Sequence, residues 1–460
     1  MAIVTEGVVP ASELVTGKKP KWLKDWARFA RATKFETLPD VVVDRTRLVI
    51  LDCLGAIIAG RTEPEVQSVT KRLGKAGKAR RAGSPLMDAF LGGTAGTMLE
   101  IDEGNQYARG HPAIHVVPAV LAAAKLRKIS GQEAIVATAL GYEIGSRIGI
   151  ASKLRVTMHP HGTWGVVGAA LAIAKLGKAS AAEIETVINI ASSLGLTTSR
   201  RTMLEGGTVR NSYAGFSNML GMMAWEMTKS GFTGEADGVG AVYGGIAATD
   251  WKPAEMTEDL GTRWEIARNY FKRHAACRYN HGALDALADI VRQHGGPIAP
   301  EKVAAVAVDT YVWAAQLDHP APQNMLAAKF SMPFSLATTI VNGAATLDAF
   351  RDMARANAVT QALAAKVTVN EDPALTAKLP GLRPARVTLT LTDGRVLKAE
   401  VLTNKGDTED PYSRDDVITK FHEVAGPSIG AERAKALVAA ALALDTAPSI
   451  TPLLQLSESL

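Results

Sequence analysis

Hydrophobic residues recur with helical spacing along the first half of the chain, over about residues 22–264. One such run covers residues 40–59 and is followed by Gly60, which predicts a helix with that glycine at the C′ position. The apolar face of this run is formed by Leu48, Leu51, Leu54 and Ile58. No alternating strand pattern occurs in this half, so we expect one helix after another.

Two helix starts in this half carry capping signals. Ser130 with Glu133, and Ser180 with Glu183, have the spacing of capping boxes. Each predicts the start of a helix of roughly 15 to 20 residues. Residues 119–125 and 165–175 are rich in alanine and glycine, which permits close helix packing. We therefore expect a tightly packed helical domain.

The pattern changes after about residue 269. Residues 303–311 alternate in the β manner, and residues 385–403 form two β runs around Asp393-Gly394, a dipeptide typical of hairpin turns. Helical patterns at residues 282–293, 333–342 and 347–354 are interleaved with them. Residues 414–444 are helical again and are expected to pack back on the first domain.

These patterns predict a mainly α protein. Its parts are a large all-helical domain (residues 20–268), a smaller α+β domain (residues 269–412) and a C-terminal helical segment (residues 413–460) that returns to the helical domain.

Composition narrows the function classes. The 460 residues carry 51 Lys and Arg against 46 Asp and Glu, a net charge of +5 that suits an anionic ligand and is too mild to indicate nucleic acid. The longest apolar runs are about half of the ~18 to 20 residues that span a bilayer, and the N-terminus lacks the pattern of a secretory signal. Two cysteines, Cys53 and Cys277, cannot form a disulfide framework, so the cytoplasm is the expected compartment.

Six of the nine histidines fall into three short segments, which are the candidate catalytic or ligand-binding segments. The first, residues 100–115, is a polar loop with Glu100, Asp102, His111 and His115 that runs into an apolar helix. Carboxylate and imidazole groups together supply a general acid/base pair whose pKa values the environment can tune. The alternative is a surface loop with a helix-capping acid.

The second segment, residues 158–163, contains His159 and His161 and precedes a predicted helix that starts near Gly165. Free N–H groups at a helix N-terminus favour an anion, and a neighbouring imidazolium would add to that. A histidine that caps a loop is the alternative. The four histidines of the first two segments match no strong metal-ligand spacing, so no metal site is expected.

The third segment, residues 272–281, opens the α+β domain. Its three cations and two imidazoles would repel one another unless the ligand carries several carboxylates. Arg210, in a turn of small residues before a helix, could bind a carboxylate bidentately or be a surface arginine. Cys277 fits a small buried residue better than a nucleophile, because no activating partner is evident.

The sequence contains no Walker loop, no G-x-G-x-x-G after a strand, no G-x-S-x-G and no C-x-x-C. Nucleotide-dependent chemistry is therefore disfavoured. We predict that the protein needs no cofactor.

Taken in order, these segments resemble the MmgE/PrpD family over about residues 22–440. The matching motifs are LVILDCLG at residues 48–55, the acidic loop at 100–111, MHP-x-GT at 158–163, VR-x-x-YAG at 209–215, GFTG at 231–234, residues 272–281 with Asp285-Ala286, and KFSMP at 329–333. The family contains 2-methylcitrate dehydratase, cis-aconitate decarboxylase and iminodisuccinate epimerase. The resemblance implies a helical domain, an α+β lid, a homodimer and a metal-free site at the domain boundary.

The resemblance also implies roles for individual residues. The family's acidic loop matches Glu100, Asp102 and Glu103, and its catalytic histidine matches His111. The other residues that the family motifs match are catalytic Lys272 and substrate-binding His159 and Arg210. Within the same motifs, His161, Tyr213 and His281 are further candidates for substrate binding. The chain departs from the family at Cys277, where decarboxylase members have a histidine, and it lacks the G-H-P-S-D-N loop of the dehydratases.

The leading hypothesis is a metal-free lyase of the dehydratase type that acts on a small di- or tricarboxylate such as a citrate-like acid. Lys272 and Arg210 would hold carboxylates, and His111 would transfer protons. Asp102 or Glu100 would orient His111 or act as a second acid/base. An epimerase or decarboxylase acting on a related dicarboxylate is the runner-up, and a binding protein without turnover is the third alternative.

Overall fold

The computed structural model describes residues 17–77 and 84–458, without the side chains of residues 75–77. The helices of the first part are α1 (Lys21–Ala32), α2 (Asp40–Gly60), α3 (Pro64–Gly77), α4 (Pro85–Thr97), α5 (Val117–Ala123), α6 (Gly131–Ala151), α7 (Gly165–Leu176), α8 (Ala181–Ser192), α9 (Arg200–Leu204) and α10 (Tyr213–Lys229). We call this part the helical region.

Both predicted capping boxes are confirmed. At the start of α6, the N–H of Glu133 donates to Oγ of Ser130 at 3.1 Å and the N–H of Ser130 donates to Oε2 of Glu133 at 2.9 Å. Ser180 and Glu183 make the same pair at the start of α8. Helix α6 has 21 residues, whereas α8 has 12 and is shorter than predicted.

Gly60 is the last residue of α2 and Arg61 is its C-cap, so the prediction of Gly60 as a C′ residue beyond the helix was wrong. A Cβ atom on Gly60 would lie 1.9 Å from the carbonyl oxygen of Ala95 in α4. A Cβ atom on Gly141 of α6 would lie 2.6 Å from the carbonyl oxygen of Gly168 in α7. The small residues thus let helix backbones approach closely, as the composition predicts.

The helical region also contains two short strands that the sequence pattern did not predict. Strand β1 (Ser152–Leu154) pairs antiparallel with β2 (Ala248–Trp251), with Ser152 opposite Trp251. Strands of three and four residues are too short to show an alternating pattern.

The second part of the chain combines helices with one four-stranded sheet. Its helices are α11 (His281–His294), α12 (Val312–Ala315), α13 (Met325–Lys329), α14 (Met332–Asn342), α15 (Asp352–Ala356), α16 (Ala358–Ala364) and α17 (Pro373–Thr376). Its strands are β3 (Val303–Thr310), β4 (Val367–Glu371), β5 (Ala385–Leu391) and β6 (Val396–Val401). We call this part the α+β region.

The strand order is β4-β3-β5-β6. Strands β5 and β6 form the predicted hairpin, with Gly394 at φ +89° in the turn. Strand β4, which pairs parallel with β3, was not predicted. The predicted helix at residues 347–354 is instead a 3-10 turn, Asp348–Phe350, followed by α15. Every second residue of β5 is buried, where α11 packs against the sheet.

The C-terminal helices are α18 (Arg414–Ile429), α19 (Ala431–Leu442) and α20 (Thr451–Glu458). Helices α18 and α19 pack on α2, and Lys420 of α18 forms a buried ion pair with Asp52 of α2. The predicted fold class is confirmed, whereas the domain boundaries after residues 268 and 412 remain predictions. Within the described residues, every helix is too short or too polar to cross a bilayer.

Candidate active site

A cleft lies where the helical region meets the α+β region. It contains about 460 Å³ of space outside the protein atoms, its open mouth included. Its polar lining from the helical region includes Glu100, Arg109, His111, His159, His161, Arg200 and Arg210. Its lining from residue 270 onward includes Tyr270, Cys277, Arg278, Tyr279 and Arg383. The cleft therefore brings together five of the predicted site residues.

The acidic loop, which we define as residues 98–112, follows α4 and crosses the floor of this site. Glu100 and Asp102 are both buried. Glu100 has φ +53°, in the left-handed region, which costs about 1 to 3 kcal/mol and persists only where the surroundings impose it. Gly104 and Tyr270 exchange both backbone hydrogen bonds, at 3.1 and 2.7 Å. This pairing places the start of the third histidine segment beside the acidic loop.

His111 and Asp102 form a buried pair. Nδ1 of His111 lies 2.9 Å from Oδ2 of Asp102, whose side chain is inaccessible to solvent. A carboxylate at this distance favours a proton on Nδ1, which leaves Nε2 to exchange a proton with a ligand. Burial alone would raise the pKa of Asp102, but His111 and Lys272 stabilise the carboxylate and hold that pKa well below its usual range. Asp102 therefore stays ionised and orients the imidazole.

Glu100 is held between two cations. Its Oε1 forms an ion pair with Arg210, and its Oε2 lies 3.4 Å from Nζ of Lys272. Burial would raise the pKa of Glu100, but Arg210 and Lys272 outweigh burial and lower it. Glu100 is therefore a carboxylate at neutral pH.

Lys272 lies behind these carboxylates and does not line the cleft. It is fully buried, donates to the carbonyl oxygen of Glu100 at 2.9 Å, and lies 3.9 Å from Oδ1 of Asp102. Its charge is matched by two protein carboxylates. The prediction that Lys272 itself holds a substrate carboxylate is therefore not supported, and its ammonium group instead stabilises the ionised forms of Glu100 and Asp102.

His159 and His161 lie beside Arg210. Nη2 of Arg210 lies 3.4 Å from Nε2 of His161, and since a guanidinium only donates, Nδ1 of His161 carries the proton. Burial, with Arg210 adding to it, lowers the pKa of His159 and of His161 well below the usual value. Both rings are therefore neutral. In the part of the chain that the structure describes, no three His, Cys, Asp or Glu side chains are grouped to hold a metal ion.

His115 is a buried linker between the first two histidine segments. Its Nδ1 donates to the carbonyl oxygen of His111 at 2.8 Å, and its Nε2 accepts from the N–H of Gly162 at 3.2 Å. Its ring packs on Gly165, the first residue of α7, where a Cβ atom would lie 2.4 Å from Cδ2. The His115 imidazole therefore packs against the first residue of α7, the helix start at which we expected an anion.

The buried neutral state of His115 predicts a loss of stability in acid. Burial lowers the pKa of His115 to about 4, below its unfolded value of 6.5, so the folded state disfavours its protonation. Neutral His115 therefore contributes roughly 3 kcal/mol to the free energy of unfolding above pH 6.5, and this contribution is lost as the pH falls toward 4. In urea unfolding, the stability difference between the parent and His115→Gln should therefore narrow between pH 7 and pH 4. A constant difference would contradict this.

Tyr213 and His281 are not among the residues that line the cleft. The Tyr213 ring packs against His159, with centroids 6.4 Å apart. Nδ1 of His281 accepts from Nη1 of Arg278 at 3.0 Å, and its Nε2 donates to the carbonyl oxygen of Ala276 at 3.2 Å. Tyr213 contacts His159 and His281 contacts Arg278, and it is His159 and Arg278 that line the cleft. The prediction that Tyr213 and His281 bind substrate directly is therefore not supported.

Cys277 lines the cleft, but its thiol is unreactive as a nucleophile. Burial raises the pKa of its thiol to about 11, so the thiol is protonated at neutral pH. A protonated thiol is a poor nucleophile, which agrees with its interpretation as a small buried residue.

Five arginines line the cleft, against one carboxylate, Glu100. Arg210 pairs with Glu100, and Arg278 pairs with Asp407 at 2.5 Å. The arginines that have no carboxylate within 4 Å, among the residues described, are Arg109, Arg200 and Arg383. The cleft therefore carries positive charge that the protein does not neutralise.

These three arginines bind neutral groups only. Nη2 of Arg383 donates to the carbonyl oxygen of Gln106 at 2.8 Å, and Nη1 of Arg200 donates to Oε1 of Gln316 at 3.1 Å. The buried Nε atoms of Arg200 and Arg383 have no partner among the described residues. Burial lowers the pKa of Arg109, and the positive charges of Arg383 and Arg200 add to the effect. Arg109 is thus repelled by the other two guanidinium groups, and an anion bound beside it would relieve this repulsion.

Sequence reasoning missed four of the five arginines. Arg109 and Arg278 belong to the first and third histidine segments, so their positions carried a signal that we did not follow. Arg200 and Arg383 lie in segments without any distinguishing pattern, and only the tertiary fold brings them to the cleft.

Two family models match most of the chain. The MmgE/PrpD N-terminal domain family model matches residues 24–254, and the MmgE/PrpD C-terminal domain family model matches residues 274–446. Together these matches cover the acidic loop, all three histidine segments and the five arginines, apart from residues 272 and 273.

Three curated proteins are similar to the chain along most of its length. It is 25% identical over 458 residues to the cis-aconitate decarboxylase-like protein oryM of Aspergillus oryzae, which covers 91% of this chain and 93% of that protein. It is 24% identical to a cis-aconitate decarboxylase of Aspergillus terreus, over 92% of both chains. It is 23% identical to the cis-aconitate decarboxylase of Homo sapiens, over 90% of both chains.

Proposed function

The chain belongs to the MmgE/PrpD family and is an enzyme that processes a small carboxylic acid, and from this premise we propose that it is a hydro-lyase for a small di- or tricarboxylate. The reaction removes a proton from the carbon next to a carboxylate and eliminates water across two adjacent carbons. The observation that carries the proposal is the group of arginines without carboxylate partners around His111.

The substrate's carboxylates supply the charge that these arginines lack. Arg109, Arg200 and Arg383 are preorganised cations in a partly enclosed site, where a carboxylate forms charge-assisted hydrogen bonds. Removal of a proton next to a carboxylate builds further negative charge on that group. Fixed guanidinium groups stabilise this charge more in the transition state than in the ground state.

Proton transfer falls to His111. Its Nε2 accepts the proton from carbon, and Asp102 behind it stabilises the imidazolium that forms. The imidazolium then gives this proton to the departing hydroxyl group, which leaves as water while the carbon–carbon double bond forms. His161 carries its proton on Nδ1, a buried atom with no partner among the described residues, and supplies a neutral donor for an oxygen atom of the substrate. Glu100 is ionised and engaged by Arg210, so it acts on the electrostatics of the site and does not donate a proton.

Decarboxylation is the second candidate, because the similar proteins are named as cis-aconitate decarboxylases. The two reactions place different demands at Cys277. The family resemblance implies a histidine there in decarboxylases, and a protonated thiol does not replace the acid/base function of an imidazole. We therefore place dehydration first and decarboxylation second, with epimerisation as a further alternative.

A substrate panel tests the proposal. The protein is incubated with citrate, 2-methylcitrate, cis-aconitate, malate and amino-dicarboxylates in deuterated water, and proton NMR records the products. New olefinic signals from a hydroxy acid support the hydro-lyase, loss of carbon dioxide supports the decarboxylase, and deuterium uptake without elimination supports the epimerase. Because the groups proposed to act are side chains, dialysis against EDTA should leave the rate unchanged. If the protein converts none of the compounds in the panel, the proposed function is contradicted.

Arg383→Gln should weaken substrate binding strongly. Removing a cation that meets a desolvated carboxylate costs about 2 kcal/mol or more, which is at least about 30-fold in KM. The KM of the variant should also depend less on salt concentration than that of the parent. Steady-state kinetics at two ionic strengths measure both effects.

Arg386→Gln is the matched control for Arg383→Gln. Arg386 lies on β5, is partly exposed and pairs with Glu400 at 3.2 Å, away from the cleft. Its KM should match that of the parent. Equal KM values for all three proteins would show that Arg383 does not meet the substrate.

A further inference from the structure

Three successive carbonyl oxygens of the acidic loop each accept a hydrogen bond from a different buried lysine. The three bonds are Lys329 Nζ to Leu99 O at 2.6 Å, Lys272 Nζ to Glu100 O at 2.9 Å and Lys420 Nζ to Ile101 O at 2.6 Å. The lysines come from three separate segments of the chain: α13, the start of the third histidine segment and α18. The backbone just before Asp102 is thus fixed from three directions.

Lys420 acts together with Asp52. The ammonium group of Lys420 forms an ion pair with Oδ1 of Asp52, and Oδ2 of Asp52 accepts from the N–H of Glu103 at 2.9 Å. The pair therefore binds the backbone at residue 101 and again at residue 103, on either side of Asp102. Both side chains are almost entirely buried.

A contribution to folding stability does not explain why the buried Asp52–Lys420 pair is present. Desolvation of two charges largely cancels their attraction, so an apolar pair of similar volume would be about as stable. A directional pair, however, fixes the backbone that it binds. The acidic loop needs this, since Glu100 holds a left-handed φ of +53° that relaxes unless its surroundings prevent it.

We propose that Asp52 and Lys420 are positioning residues for the reaction proposed above, which hold Asp102 at the distance from His111 that proton transfer requires. The inference rests on the proposed function for its kinetic consequences. It also assigns a part in the active site to the C-terminal helical segment, because Lys420 is its contribution. Neither residue lines the cleft, so both act through the acidic loop.

The test combines kinetics with a readout that needs no substrate. Lys420→Met and Asp52→Asn should each lower kcat by roughly 10- to 100-fold, which is the usual effect of losing a supporting contact or of misplacing a catalytic group by about 1 Å. The KM of each variant should change less than about threefold. In ¹⁵N NMR, the His111 signals, identified by their absence in His111→Gln, should show a proton on Nδ1 in the parent. They should show a mixture of both tautomers in the two variants.

Lys175→Met is the matched control. Lys175 also donates to several backbone carbonyls, those of Ala30 at 2.7 Å and Thr33 at 2.6 Å among them, but far from the acidic loop. This variant should keep the kcat and the His111 tautomer of the parent. A loss of kcat in Lys175→Met equal to that in Lys420→Met would mean that any such lysine is needed only for folding, and would overturn the inference.

The double variant Asp52→Leu/Lys420→Met covers the case in which a single variant fails to fold, since it leaves no buried charge unpaired. A folded double variant with reduced kcat and mixed His111 tautomers supports the inference. Parent-like kcat and an unchanged tautomer overturn it. If the parent turns over no compound of the panel, the proposed function fails, while the tautomer readout still decides whether the pair positions Asp102.

Discussion

His111→Gln will fold like the parent and lose roughly 10² to 10⁴ in kcat, the range for removal of a general acid/base. His111 lies at the cleft with its Nδ1 2.9 Å from Asp102, so only its Nε2 can exchange a proton with a ligand. Glutamine fills a similar volume and keeps a hydrogen-bonding group but cannot accept a proton. Steady-state kinetics on the substrate found in the panel, with circular dichroism as a check of folding, measure the effect.

Two other histidines provide controls for His111→Gln. His294 lies at the end of α11 and contacts the carbonyl oxygen of Gly296, away from the cleft, so His294→Gln should keep parent kinetics. His115→Gln should lose stability more than kcat, because both nitrogens of His115 bind backbone groups. Near-parent turnover in His111→Gln would remove His111 from the proposed mechanism.

Lys272→Met should lower the free energy of unfolding by about 3 to 5 kcal/mol, the cost of leaving a buried charge without its partner. Lys272 stabilises two buried carboxylates, Glu100 at 3.4 Å and Asp102 at 3.9 Å. Without the ammonium group, the pKa of each carboxylate should rise. Urea unfolding measures the loss of stability, and Lys398→Met, at an exposed position on β6, serves as the control.

The kinetic consequence of Lys272→Met separates the structural interpretation from the sequence-based one. A lysine that held a substrate carboxylate would change KM and its salt dependence when removed. Lys272 is buried behind the acidic loop, so kcat should fall while the salt dependence of KM stays that of the parent. A variant as stable as the parent, with a raised and salt-insensitive KM, would restore the direct binding role.

Local signals predicted the local structure well. The capping boxes at Ser130 and Ser180 and the hairpin turn at Gly394 each depend on contacts within a few residues, so the sequence contains them in full. Gly60 was misinterpreted because a glycine after a helical run suits a helix end as well as a close helix contact. Only the position of Ala95 on a neighbouring helix distinguishes the two.

The same division applies to the site. His111 and Asp102 lie nine residues apart in one polar loop, and their pairing could be predicted from their chemistry. Arg383 reaches the cleft through the fold of the α+β region, and no feature of its neighbours in sequence marks it. Lys420 lies in α18, a helix that the sequence already predicted to pack on the first domain, but nothing in its neighbours shows that the lysine is buried against Asp52.

A crystal structure with tricarballylate, a tricarboxylate that has neither a hydroxyl to lose nor a double bond, tests the assignment of the cleft most directly. We expect its carboxylates on Arg109, Arg200 and Arg383 and a methylene carbon about 3 to 3.5 Å from Nε2 of His111, the separation at which proton transfer proceeds. Binding outside the cleft, or carboxylates away from these arginines with no methylene group near His111, would contradict it.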